Sequence, residues 1–381
     1  MITLTLAMIV KNEEKVLARC LDSIKEIVDE IIIVDTGSTD KTVEIAKKYT
    51  SNVYHFEWID DFSAARNYAF SKAMCDYIMW LDADDYLEKS EQVKLLALKE
   101  TFDTSIDVAV LKYNLSFDEF GNVLLSNYRE RLLKRERNFK WEEPVHECIT
   151  PSGNVQRFEI AVTHGEKNRT HSHRNLDIYE KQTKLSPRGT FYYARELHTH
   201  NRLEDAIVQF EKFLNSGEGW LEDNITACYD LYNIYTSLDQ KEEGLIYLFK
   251  TFLYDLPRAR YCCKIGEYFI EKEDYRKAVY WYELALNPNS HHEAGFFQKD
   301  FCDFIPHMQL CVCFDRLKNH EQSYHHHLKA QELKPDHSGV KYNADFFAEF
   351  FPEYPKILPE SKEMIEIEKD NTDWRKLYGH V

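Results

Sequence analysis

Three acids stand within four residues at Asp82-Ala83-Asp84-Asp85, directly after the apolar run Tyr77-Ile78-Met79-Trp80-Leu81. A short apolar run of this kind has the pattern of a buried strand in a parallel sheet. Ligands of such sheets sit in the crevice beyond the carboxyl ends of the strands. Carboxylates there suit a hard divalent cation that shares its shell with substrate phosphates. An acidic turn capping the next helix would use the same residues, so the reading depends on what surrounds them.

The preceding residues alternate between strand and helix patterns. Strands are expected at Thr3 to Val10, Ile31 to Val34 and Val53 to Phe56, with helices from Val16 to Ile27, from Thr42 to Lys48 and from Phe62 onward. That order implies a mainly parallel, doubly wound α/β sheet. A dinucleotide site would need Gly-x-Gly-x-x-Gly at the first turn, but Val10-Lys11-Asn12-Glu13 has no glycine. Phosphate charge would then be met by a metal and basic side chains, which points to a nucleoside-diphosphate donor. From Val108 to Leu133 short alternating runs around a turn at 118–122 suggest added antiparallel strands.

Four stretches in order carry a resemblance: Met8-Ile9-Val10-Lys11-Asn12-Glu13, Val34-Asp35-Thr36-Gly37-Ser38-Thr39-Asp40, Phe62-Ser63-Ala64-Ala65-Arg66-Asn67 and Trp80-Leu81-Asp82-Ala83-Asp84. Together they resemble family 2 glycosyltransferases of the GT-A fold. Val145-His146-Glu147 and His164-Gly165 are similar to motifs of a branch with a helical-repeat tail, which includes the glycocin (sublancin-type) S-glycosyltransferases. The resemblance implies a UDP-sugar donor and Mg2+ or Mn2+. It puts Asp35 on the uracil or ribose, with Ile9 and Lys11 lining the base through their backbone. It puts Arg66 on the diphosphate or behind the acidic motif. Asp82 would face ribose and metal, and Asp84 would be the direct ligand. His164 would be a third metal ligand or a phosphate contact. One of Arg129, Arg131 and Arg135 would meet the donor phosphates, although their run, Tyr128 to Arg137, also has the composition of a solvated strand face.

An inverting transferase needs one general base for the acceptor proton, on the face opposite the departing diphosphate. Glu147 is the first candidate and His146 the second. A hydrolase would instead flank the bond with two carboxylates, which these motifs do not suggest. The polar stretch Glu166 to Arg174 has the makings of a loop closing over the donor.

The second half is helical in pattern. Tetratricopeptide units place small residues about twelve positions apart on paired helices, and Ala194 with Ala206, Gly266 with Ala278 and Cys311 with Ser323 match that offset. Phe210 and Tyr282 fill the aromatic place that follows, and four degenerate repeats are expected from Arg188 to Asp336. His325-His326-His327 cannot converge from one helix, since neighbours diverge by about 100°, and all three are expected at the surface. The expected division is a GT-A α/β domain over residues 1–175, TPR-like helical repeats over 176–340 and a helical tail over 341–381.

A formal charge of -17 over 381 residues argues against nucleic acid or an anionic membrane as partner. No apolar run nears membrane-spanning length, and the first residues lack the basic lead of a signal peptide. Nine cysteines without zinc spacing suit a reducing, cytoplasmic setting. The expectation is an inverting, metal-dependent transferase moving a hexose from a UDP-sugar to a peptide or protein side chain (Cys, Ser or Thr). The repeats would hold that acceptor or a second copy in a homodimer. The alternatives are a glycan or lipid-linked acceptor, or a repeat scaffold with a degenerate, non-catalytic domain.

Overall fold

The computed structural model describes residues 1–117, 123–165, 173–287 and 298–353. Strand and helix alternate first, as the pattern predicts: β1 (Leu4–Val10), α1 (Leu17–Asp22), β2 (Glu30–Asp35), α2 (Thr42–Ala46), β3 (Val53–His55), α3 (Phe62–Phe70) and β4 (Tyr77–Trp80). There follow β5 (Asp85–Tyr86), α4 (Lys89–Thr101), β6 (Val108–Phe117), β7 (Val123–Lys134), β8 (Trp141–Glu142), β9 (Cys148–Ile149) and β10 (Val155–His164). The first helix is shorter than expected, and the Ser23 hydroxyl donates to Cys20 O just past its end. The expected turn at 118–122 and most of the 166–174 loop lie outside the described residues.

Eight strands form one sheet in the order β3-β2-β1-β4-β7-β6-β10-β5. The strands β3, β2, β1 and β4 pair in parallel. β7 runs against both β4 and β6, and β10 lies parallel to β6. The strands β4, β6 and β10 therefore point one way, and the carboxyl ends of β1, β2, β4 and β10 share one edge. Side chains alternate between two cores because successive Cβ atoms point to opposite faces. Leu4, Leu6, Met8, Ile31, Ile33, Tyr77 and Met79 fill one core, and Ala7, Ile32, Val34, Ile78 and Trp80 fill the other. Burial on both faces is why these strands read as continuous apolar runs.

The remainder is helical: α5 (Arg174–Glu180), α6 (Pro187–Thr199), α7 (Leu203–Ser216), α8 (Leu221–Ser237), α9 (Lys241–Lys250), α10 (Ala259–Glu271), α11 (Tyr275–Ala285), α12 (Phe304–Arg316), α13 (His320–Leu333) and α14 (Ser338–Phe350). The helices α6–α7, α8–α9 and α12–α13 pack as neighbouring pairs, in the TPR-like manner expected. Small residues allow the close approach. Ala194, Ala206 and Ala278 are fully buried, and the Ser323 hydroxyl donates to Cys311 O at 2.7 Å. A Cβ on Gly266 would lie 2.7 Å from the Tyr282 ring, so only glycine fits there. Cys262, Cys263, Cys311 and Cys313 are buried free thiols, as small core residues. One compact unit runs from Met1 to Tyr261 and a second begins at Cys262, so the α/β sheet and helices α5 to α9 belong to a single unit. Among the described residues no helix is long and apolar enough to cross a membrane.

The histidine triplet corrects an expectation. His325 is exposed, but His326 and His327 are buried. The rings do diverge, yet α13 has a neighbour on two sides. The His326 ring meets His307 of α12, Nδ1 to Nδ1 at 2.8 Å, and stacks on Phe314, while His327 stacks on Phe347 of α14. Burial, then the charges of His307 and His325, push His326 down to about 3. An unfolded histidine titrates near about 6.5, so as pH falls the unfolded chain takes up the proton first and stability is lost. Urea unfolding should become easier as pH falls from 7 to 5, with His307 and His327 shifted in the same direction, and His326→Phe should weaken that pH dependence.

Candidate active site

The end of β4 turns sharply, and its three acids separate. Asp85 N donates to Asp82 O at 3.0 Å, and Asp82 N donates to Asp85 Oδ2 at 3.1 Å. This local lacing sends Asp82 one way and the buried Asp84 and Asp85 another.

Asp82 meets Arg66, carried by α3, whose first turn is capped by Asp61 accepting from Ala64 N. Arg66 Nη2 donates to Asp82 Oδ1 and its Nε to Glu147 Oε1, both at 2.7 Å. The guanidinium lies over the rings of Trp80 and Trp141. Burial alone would raise the Asp82 carboxyl, but the Arg66 charge and hydrogen bond hold it well below the usual carboxylate range. Asn67, next on the helix, exchanges two hydrogen bonds with the Trp141 backbone and fixes the approach to Glu147.

Asp84 and Asp85 meet His164 at the end of β10, and one ligand atom from each lies within 4.8 Å of the others. The His164 Nδ1 is 3.9 Å from Asp84 Oδ1 and 3.4 Å from Asp85 Oδ1. The Asp85 hydrogen bond raises His164 above the ordinary histidine value, against the effect of burial. Gly165 N donates to Asp84 O at 2.9 Å, and a Cβ at Gly165 would sit 2.5 Å from that oxygen and 1.8 Å from Arg19 Nη2. The glycine is therefore what lets β10 close on the acidic loop.

Arg131 is wholly buried beneath this cluster. Pairing of β7 with β6 skips it: Leu132 faces Ala109 and Glu130 faces Val110. An extra residue in a strand re-aims its side chain. Its Nη1 is 3.1 Å from Asp85 Oδ2 and donates to Trp80 O at 3.1 Å, and the guanidinium lies 3.9 Å from the Trp80 ring centroid and 4.5 Å from that of Tyr113. Its Nε and Nη2 are buried without a partner. Tyr113, which nothing in the sequence singled out, donates from its hydroxyl to Asp85 Oδ1 at 2.8 Å and lies 2.9 Å from His164 Nδ1. Asp85 is held through both oxygens, and Asp84, Asp85 and His164 together form a cluster whose ligand atoms could converge on a cation. The carboxylates suit a hard divalent cation, and the imidazole beside them is a donor that suits transition metals.

Ile9, Lys11 and Asp35 lie at the same sheet edge, whereas His146 and Glu147 lie in the turn between β8 and β9. Ile9 and Val10 pair with Val34 and Asp35. Asp35 accepts from Ser38 N at 3.1 Å and Gly37 N at 3.2 Å, across a turn where Gly37 has a φ of 100°. Asp40, not Asp35, accepts from Thr42 N at the start of α2. Lys11 is exposed beside this turn. Glu147 and His146 face apart. Glu147 joins Arg66, whereas His146 Nε2 is 2.7 Å from Glu196 Oε1 on α6 and its ring stacks on Tyr192.

Residues 5–163 match the model for glycosyl transferase family 2, and the TPR-like helical pairs follow that stretch. The SPbeta prophage-derived glycosyltransferase SunS of Bacillus subtilis strain 168 is 30% identical over 230 residues, covering 56% of this chain and 54% of its own. A TPR repeat-containing protein of Synechococcus elongatus is 36% identical over 152 residues, covering 40% of this chain and 36% of its own. The aligned part thus spans about half of SunS and less of the second relative. Among solved structures, YrrB, described as a TPR protein with an unusual peptide-binding site, overlaps 45% of this chain and 81% of its own at 16% identity and a TM-score of 0.35.

Removing Arg131 would strand the buried Asp85 charge. Arg131→Ala should destabilise by roughly 3–5 kcal/mol in denaturant unfolding. Adding Asp85→Asn should recover part of that loss.

Proposed function

We propose that the chain is an inverting glycosyltransferase that moves a hexose from a UDP-sugar to a cysteine, serine or threonine side chain of a peptide or protein. The observation that carries the reading is the meeting of Asp84 with His164 at the strand ends, beside the Asp82–Arg66–Glu147 chain. Asp35 binds the uracil or ribose, with Ile9 and Lys11 beside the base. Asp84 and His164 would hold Mg2+ or Mn2+, which would supply Lewis-acid neutralisation of the diphosphate leaving group. Arg66 keeps Asp82 ionised toward the ribose and orients Glu147. Arg131 acts from below, compensating Asp85 so that the acidic loop keeps its shape.

Transfer follows from these placements. The acceptor nucleophile attacks the anomeric carbon from the face opposite UDP. The bond from that carbon to the diphosphate oxygen breaks, its electrons leave with UDP, and Glu147 takes the acceptor proton. Holding the reactants in line supplies much of the rate. Two things support a polypeptide acceptor: helical pairs of the kind that present grooves to peptides, and the likeness to the glycocin-modifying branch. His146, turned onto Glu196, is the weaker base candidate.

UDP release should require added Mn2+ or Mg2+ with one of UDP-glucose, UDP-galactose or UDP-N-acetylglucosamine, and should stop with chelator. Asp84→Ala should lower it at least about 10²-fold with the fold intact. Undiminished turnover in that variant would remove the metal reading. With peptides bearing Cys, Ser or Thr, mass spectrometry should find a hexose-sized addition; a sugar found only on a glycan would overturn the polypeptide acceptor.

A further inference from the structure

The turn that carries Glu147 is gripped from two sides. On the sheet side, Phe62 N donates to Pro144 O at 2.8 Å and the Ser63 hydroxyl donates to Glu143 O. On the helical side, the Tyr179 hydroxyl donates to Val145 O at 3.2 Å and Arg188 Nη2 donates to His146 O at 3.3 Å. Ser186, which caps α6 by accepting from Gly189 N, donates to Glu143 Oε1 at 2.5 Å. Every residue from Glu143 to His146 is therefore held by a helix.

The grip is needed because the turn is strained. Glu143 and His146 have φ of 72° and 54°, in the left-handed region that side chains other than glycine's disfavour. Such conformations persist only where the surroundings over-determine them. At His146 the determining group is Glu196. Its Oε1 accepts from His146 Nε2 at 2.7 Å and from Asn175 Nδ2 at 3.0 Å. Burial works against the Glu196 carboxylate, but the bonds from His146 and Asn175 hold it below its ordinary range. The imidazole also lies nearly flat on Tyr192, with ring centroids 4.4 Å apart. Only one ring orientation satisfies both contacts, and the next residue in the chain is Glu147.

We propose that Glu196, on the second helix after the sheet, is a positioning residue for sugar transfer: by fixing His146 it sets the backbone from which Glu147 reaches Arg66 and the reacting centre. This rests on Glu147 being the base. It makes α5 and α6 a working part of the catalytic site, beyond any role in holding an acceptor.

The test uses the full chain with Mn2+ and UDP-glucose, or whichever of the three sugar nucleotides is turned over. UDP release is measured alongside UDP affinity by calorimetry and the thermal midpoint. Glu196→Ala should lower kcat at least about tenfold, since small misplacements of a reacting group are costly, with KM and UDP affinity within about twofold. Glu196→Gln should recover most of kcat, because its amide oxygen accepts the same two bonds. Wild-type kcat in Glu196→Ala overturns the proposal. So does a Gln variant no better than Ala when both lose UDP affinity and thermal stability, since the residue is then scaffolding only. Glu147→Ala separates the underlying reading. If that variant keeps its turnover, the base assignment fails and the positioning role with it. If it loses turnover while Glu196→Ala does not, the positioning role alone fails.

Discussion

The carboxylates of Asp82, Asp84, Asp85 and Glu147 gather beside the end of β4, and that much negative charge, with Asp84 and Asp85 buried, needs compensation. Two arginines supply much of it. Arg66 joins Asp82 to Glu147, and Arg131 holds Asp85. Each is flanked by aromatic rings that exclude water and favour a cation on their faces. The division of labour follows from this charge balance. Asp85 is held by Arg131 and Tyr113, Asp82 and Glu147 are bridged by Arg66, and Asp84 lies near His164.

The fold serves that balance. The parallel strands bring Asp35 and the acidic loop to one edge, and α3 returns Arg66 to it. The antiparallel insertion of β7 delivers Arg131 at the position its pairing skips. β10, paired with β6 on one side and with β5 on the other, ends at His164-Gly165 against the loop. The helical pairs then close the arrangement from the far side by holding the Glu143 to His146 turn.

The alternation of strands and helices was readable in the sequence because strands buried on both faces leave unbroken apolar runs, and the acids at the end of β4 stood out for their density. The paired small residues of the helices were readable for a similar reason, since close helix contact restricts side-chain size. What could not be read depends on long-range pairing. The arginine run from Tyr128 has the composition of a wet surface, and only the skipped residue in β7 turns Arg131 inward. Tyr113 looks like any strand aromatic until β6 sets it beside Asp85 and His164. Glu196 has the look of an ordinary helix-surface acid. The histidine triplet misled for a related reason: divergence of neighbours on a helix was argued correctly, but it says nothing about how many sides of that helix are covered.

The account stands on a cation bound between Asp84 and His164 while Asp85 stays with Arg131. Anomalous diffraction from crystals grown with Mn2+ and UDP tests this directly. The predicted result is one manganese peak within bonding distance of an Asp84 oxygen, a His164 nitrogen and the diphosphate, with the Asp85–Arg131 pair unbroken. A peak coordinated without Asp84, or a diphosphate bound away from this loop, would contradict it.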